Sequence, residues 1–151
     1  MSIQERKADE KQQLRRKIIN AARDLCLNEG YDQVSMRKIA RKIDYSPTTI
    51  YLYFKNKAEL LDCVCDETQA NLLKTLETLF QDLSDPVETL RKCSRAYADF
   101  GINHPEDYKL TFMFGPKYQE DLGLPEGSTS LKMFEYLHNV GKECMDQGKF
   151  R

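Results

Sequence analysis

Apolar residues recur at intervals of three and four at Leu14, Ile18, Ala21, Ala22, Leu25 and Cys26, with Arg15, Arg16, Arg23 and Asp24 between them. This is the pattern of an amphipathic helix over residues 12–29, and Gly30 follows as the usual left-handed stop. Ser35 then opens a short basic helix to Ile43, in which Ile39 and Ile43 stand one turn apart among four basic residues. Asp44-Tyr45 breaks it. Ser46 as N-cap and Pro47 at the first helical position restart the chain in a third short helix to about Tyr53.

Asn56 caps a long helix in which Leu60, Leu61, Val64, Thr68, Leu72, Leu76 and Leu79 repeat at helical spacing to about Gln81. Asp85, Pro86 and Glu88 start another, whose expected inner face carries Val87, Leu90, Ser94, Tyr97 and Gly101. His104-Pro105-Glu106-Asp107 opens a short apolar helix from Tyr108 to Phe114, and Gly115-Pro116 stops it. Residues 115–127 read as loop. Ser128 or Thr129 caps a last helix with an apolar face through Leu131, Phe134, Leu137, His138, Gly141 and Met145, and Gly148 closes it. The expected fold is all-α, with no internal repeat.

Charge divides this chain of 151 residues near residue 57. Residues 1–57 hold 13 basic and 7 acidic side chains, net +6, and residues 58–151 hold 10 and 17, net −7. A basic head can supply the salt-sensitive part of nucleic-acid binding, while an acidic body keeps the rest off the phosphates. No apolar run reaches the roughly 20 residues of a membrane helix, and the polar N-terminus lacks the apolar core of a signal peptide, so a cytoplasmic protein is expected. The five cysteines have no CxxC spacing and read as reduced thiols. Cys63 and Cys65 stand about 200° apart on a helix, which disfavours a shared metal ion. Two histidines, no phosphate-binding glycine loop and no nucleophile elbow leave catalysis, metal and cofactor unsupported.

Residues 35–53 have the layout of a helix-turn-helix, with Ile39, Ala40, Ile43 and Ile50 inward. The first helix would lie across a phosphate backbone, and the second would present Pro47, Thr48 and Thr49 to the major groove of double-stranded DNA. Threonine hydroxyls and methyls suit base edges, whereas tyrosine hydroxyls and lysine ammonium groups suit phosphates. A helical protein-interaction module with a basic face has a similar outline and stands as the alternative.

Met36-Arg37-Lys38-Ile39-Ala40, followed by Ser46-Pro47-Thr48-Thr49-Ile50-Tyr51-Leu52-Tyr53-Phe54-Lys55-Asn56-Lys57, resembles the TetR family of bacterial transcriptional regulators. The resemblance spans Ile18 to about Leu61. It implies a homodimeric regulator, mostly repressing, that leaves a palindromic operator when a small-molecule effector binds. By position, Thr48 and Thr49 would face bases, Tyr51, Tyr53 and Lys57 would contact phosphate, Arg37 would contact the backbone, and Ile50 and Phe54 would be core.

Ile43 and Asp44 replace the small residue and glycine usual in the family, a turn that Asp tolerates with some strain. Residues 1–57 are accordingly expected to form the DNA-binding domain with a charged N-terminal arm, and residues 58–151 a helical regulatory body. The family usually adds two further long helices, so this body is expected to be incomplete, and the chain by itself monomeric or aggregation-prone. The stretch from His104 to Phe114 resembles one branch of the family's regulatory domains. Candidate effector-pocket residues are Phe100, His104, Tyr108, Phe112, Met113, Tyr118, Phe134 and His138, with ordinary core as the competing reading.

Overall fold

The computed structural model describes residues 1–114 and 129–150 and is helical, with no strand among the described residues. Its elements are α1 (Ile3–Glu29), a 3-10 turn (Tyr31–Gln33), α2 (Met36–Lys42), α3 (Pro47–Tyr51), α4 (Lys57–Leu79), α5 (Pro86–Asn103), α6 (Pro105–Tyr108), a π-helical stretch (Lys109–Phe114) and α7 (Thr129–Asp146).

Local chemistry sets most of the boundaries. Ser35, Ser46, Asn56 and Asp85 each accept a hydrogen bond from the backbone N–H three residues on, satisfying a donor that the helix itself leaves unpaired. Asp44 takes the positive φ of 60° that ends the α2 turn, as its short polar side chain allows. Gly30 also has positive φ, but its ψ of 159° is extended, so α1 ends on a bond from the Gly30 N–H to the Cys26 carbonyl without a left-handed residue. Gly148 closes α7 at φ 68°.

The N-terminal arm is a correction. Ser2 and Glu5 form a reciprocal capping box, so α1 begins at Ile3, where the pattern started the helix at residue 12, and its first three turns, the expected charged arm, stand exposed. α3 ends at Tyr51 and α4 at Leu79, each two residues earlier than their patterns suggest.

Two apolar clusters form around α4. The first joins Ile18, Ala22 and Cys26 of α1 to Ile39, Ile43, Ile50 and Phe54 of the helix-turn-helix and to Leu60, Leu61 and Val64 of α4. The second joins Leu72, Leu73 and Leu76 to Cys93 of α5 and Met133 of α7. Leu110, from the π-helical stretch, is 1% exposed and belongs to the first cluster, where the Cys65 thiol donates to its carbonyl at 3.6 Å. Arg23 of α1 pairs with Asp107 and lies 4.0 Å from Glu106, a second tie between the two regions.

In α5 and α7 the expected apolar faces are misplaced. α5 buries Pro86, Thr89 and Cys93, about one residue round from the predicted stripe. α7 turns Met133, Val140 and Cys144 inward and leaves Phe134, Leu137 and Met145 at 66%, 43% and 54% exposure. Apolar residues occupy both sides of α7, so periodicity alone could not choose, and packing against α4 and α5 decides the face.

Candidate functional site

α3 is held by its inner residues and offers its outer ones. Ile50 is fully buried and Phe54 nearly so, with the Arg15 guanidinium 5.2 Å from the Phe54 ring centroid. The turn before α3 is fixed by the Tyr45 N–H on the Ala40 carbonyl at 3.0 Å. Pro47, Thr48 and Arg37 are exposed, Tyr51 is 55% exposed, and Tyr53 is half-buried.

Two expected contact residues are already engaged inside the chain. The Thr49 hydroxyl lies 2.9 Å from the Ser46 hydroxyl, within the N-cap. Lys57 donates to the Tyr31 carbonyl at 3.0 Å and sits 4.0 Å from the Tyr31 ring centroid, bracing the 3-10 turn against α4. The basic character of α2 is likewise divided: Lys38 pairs with Glu29 at 2.6 Å and Lys42 with Asp24 at 3.7 Å, leaving the exposed Arg37 and Arg41 to face outward.

Beside α3 lies a surface groove that sequence reasoning missed. Lys7, Lys11, Leu14 and Lys17 of α1 line it together with Glu10, Gln13, Tyr45 and Tyr53, three cations to one carboxylate, and the Lys17 ammonium is 5.4 Å from the Tyr45 ring centroid. The four- and three-residue spacing of Lys7, Lys11, Leu14 and Lys17 was the available signal, left out by starting the helix at residue 12.

The eight candidate pocket residues do not converge. Phe112 and Phe134 line an apolar cavity of about 460 Å³ between α4, α5, α7 and the π-helical stretch, with Gln69, Cys93, Tyr97, Thr111 and Met133 among its other walls. Phe100 and His104 line a different, polar cleft with Arg23, Asn71, Asp99 and Asp107. Met113 is 61% exposed, and His138 is on the outside of α7, its ring stacked 6.3 Å from that of Phe134. Tyr108 accepts a hydrogen bond from the Tyr97 hydroxyl at 3.0 Å and packs against Phe112 at 5.1 Å, so it supports the cavity wall from behind. Tyr118 lies outside the described residues.

Burial, reinforced by the bond to Tyr108, pushes the Tyr97 phenol up to about 12, and burial also raises the Cys93 thiol. Among the described residues no cluster of His, Cys, Asp or Glu has metal-binding geometry.

Comparison with known proteins agrees with the head. Residues 18–64 match the family described as bacterial regulatory proteins, tetR family. An uncharacterised HTH-type transcriptional regulator of Haemophilus influenzae is 37% identical over 82 residues, covering 54% of this chain and 44% of the relative. The fatty acid metabolism regulator protein of Bacillus subtilis is 33% identical over 73 residues, 48% of this chain and 38% of the relative. The match thus spans less than half the length of either relative.

Two solved structures share the fold over most of the chain. The fatty acid degradation regulator FadR from Bacillus halodurans has a TM-score of 0.65 at 20% identity, over 90% of this chain and 70% of that one. AibR, solved in complex with isovaleryl coenzyme A and operator DNA, has a TM-score of 0.61 at 21% identity, over 91% and 75%. Residues 18–64 thus match the tetR family of bacterial regulatory proteins, and the described chain has the fold of these solved structures.

Proposed function

We propose that the chain is a sequence-specific DNA-binding transcriptional regulator, a repressor that works as a homodimer on a palindromic operator in the cytoplasm and releases it when a small molecule enters the body. The observation that carries this reading is α3: Ile50 on its inner side, and Phe54 just after it, are locked in the core while Thr48 and Tyr51 stand exposed, as does Arg37 of α2. A short helix fixed in this way can enter a major groove, Thr48 meeting base edges and Tyr51 and Arg37 meeting phosphates. The neighbouring groove of Lys7, Lys11 and Lys17 would extend the phosphate contacts along α1. Lys57 and Thr49, held within the chain, act more through positioning the helix than through direct contact.

The names of the relatives support regulation, and the isovaleryl coenzyme A bound by AibR supports a small-molecule effector. No helix among the described residues is long and apolar enough to cross a membrane. The test is binding to duplexes selected from a random pool, titrated against salt. Tyr51→Ala should weaken binding at least tenfold while the fold persists, and Arg37→Ala should flatten the salt dependence by about one unit of slope. Salt-independent binding, or no preference among duplexes, would favour the protein-interaction alternative instead.

A further inference from the structure

Inside the body, Thr111 differs from the other helical threonines whose bonds are visible. Thr75, Thr78 and Thr89 each return the hydroxyl to the carbonyl four residues back, at 3.2, 3.0 and 3.1 Å. That back-bond satisfies a buried hydroxyl within its own helix. Thr111 lies in the π-helical stretch, is 4% exposed, and its Oγ1 has no hydrogen-bond partner among the described residues. A buried hydroxyl left unpaired is costly, so its persistence calls for a partner that the described residues do not supply.

Thr111 is on the wall of the 460 Å³ cavity, a volume within the range of small-molecule sites. The rest of the lining sets the chemistry. Leu76, Phe112, Met133, Phe134 and Leu137 are apolar, and among the described residues no Asp, Glu, Lys, Arg or His contributes. A charged group placed there would lose its hydration with no counter-ion to replace it. Burial raises both the Tyr97 phenol and the Cys93 thiol, which also line the cavity, as an apolar surrounding does. The polar cleft lined by Arg23, Asp99, His104 and Asp107 is a separate space, and its Arg23 is already paired with Asp107.

We propose that this cavity takes an apolar chain or ring bearing an uncharged hydrogen-bond acceptor, such as an ester, ketone, amide or thioester carbonyl, which receives the Thr111 hydroxyl proton. The proposal rests on the reading of the body as effector-binding and names the effector's class. A free carboxylate or ammonium is excluded from the interior. The same neutral carbonyl can come from a small compound or from an acyl group carried as a thioester on a larger molecule, whose carrier would stay outside.

The experiment displaces the neutral fluorophore N-phenyl-1-naphthylamine from the whole chain with ligands of one chain length: methyl decanoate, decanoate, decylamine and decanoyl coenzyme A. At neutral pH, methyl decanoate should compete at least about tenfold better than decanoate or protonated decylamine, a difference of about 1.4 kcal/mol. Decanoyl coenzyme A binding tenfold tighter than the methyl ester identifies the carried thioester as the source. Equal or weaker binding identifies a small neutral compound.

Thr111→Val, which keeps the shape and removes the hydroxyl, should weaken the methyl ester about fivefold and leave the fluorophore's own affinity unchanged. Leu137→Trp, at a position 43% exposed and so tolerant of a larger ring, should fill the mouth and abolish displacement. Equal binding of decanoate and its ester, or an unchanged ester affinity in the valine variant, overturns the assignment. Operator binding measured in the same samples separates the two readings. A chain that binds DNA but not the ester refutes only the ligand class, and one that binds the ester but no DNA refutes the regulator.

Discussion

The head and the body use apolar residues in opposite ways. In the head, Ile18, Ile39, Ile50 and Leu60 are all fully buried, and apart from Met1 and Ile3 at the start of the chain the exposed large apolar groups, Tyr45, Tyr51 and Leu52, cluster at the helix-turn-helix. In the body, α7 is apolar on both sides, Phe134 and Leu137 stand open at the mouth of a cavity, and the buried Thr111 hydroxyl has no partner among the described residues. A filled core fixes a reading surface to within small displacements, because close-packed interiors resist change. A cavity with an unsatisfied wall can gain stability from an occupant and so respond to it. On the proposed reading, one fold carries a rigid end for recognition and a less complete end for sensing.

Urea denaturation followed by circular dichroism should expose that difference. Phe54→Ala, removing a ring that is 2% exposed, should cost about 3–5 kcal/mol, whereas Leu137→Ala in the body should cost under about 1 kcal/mol. Equal penalties would erase the contrast between the two regions.

Leu110→Ala sharpens it. This side chain leaves the body to fill the head's core, so its loss should cost about 2–4 kcal/mol and lower amide-exchange protection around Ile18 and Ile19, its partners in the cluster. Unchanged protection in α1 would mean that the two regions are not joined through this contact.

The smallest effect concerns the exposed start of α1. Hydrogen bonds from the Ser2 N–H and, after it, the Ser2 hydroxyl pair lower the Glu5 carboxyl below its ordinary value. A carboxylate with a depressed folded-state value stabilises the helix above the ordinary carboxylate range and loses that contribution as pH falls through the lowered value. The first turn of α1 should therefore fray on acidification while the head core stays intact. Chemical shifts of Ser2 and Glu5 should follow one titration, which Glu5→Gln should remove.

How much of this was legible follows the same division. Ser35, Ser46, Asn56 and Asp85 announced their helices because capping is local chemistry, and the inward places of Ile39, Ile50 and Phe54 followed from spacing within short, capped segments. The buried faces of α5 and α7 were not legible, since each has apolar residues on more than one side and the packing partner chooses. The engagement of Lys57 with Tyr31 joins residues 26 apart, a contact that spacing does not encode. The cavity was partly visible through Phe112 and Phe134. Thr111 was invisible, because its significance lies in a hydrogen bond that the π-helical turn does not make.

The central claim is that the exposed side of α3 reads base identity, and a base-by-base substitution scan of a selected duplex with the wild-type chain and with Thr48→Val tests it most directly. Valine keeps the shape and removes the hydroxyl. The account predicts a changed preference at one or two positions in each half-site, worth about 1–3 kcal/mol, with the salt dependence unaltered. An identical preference profile from a folded Thr48→Val chain would contradict it.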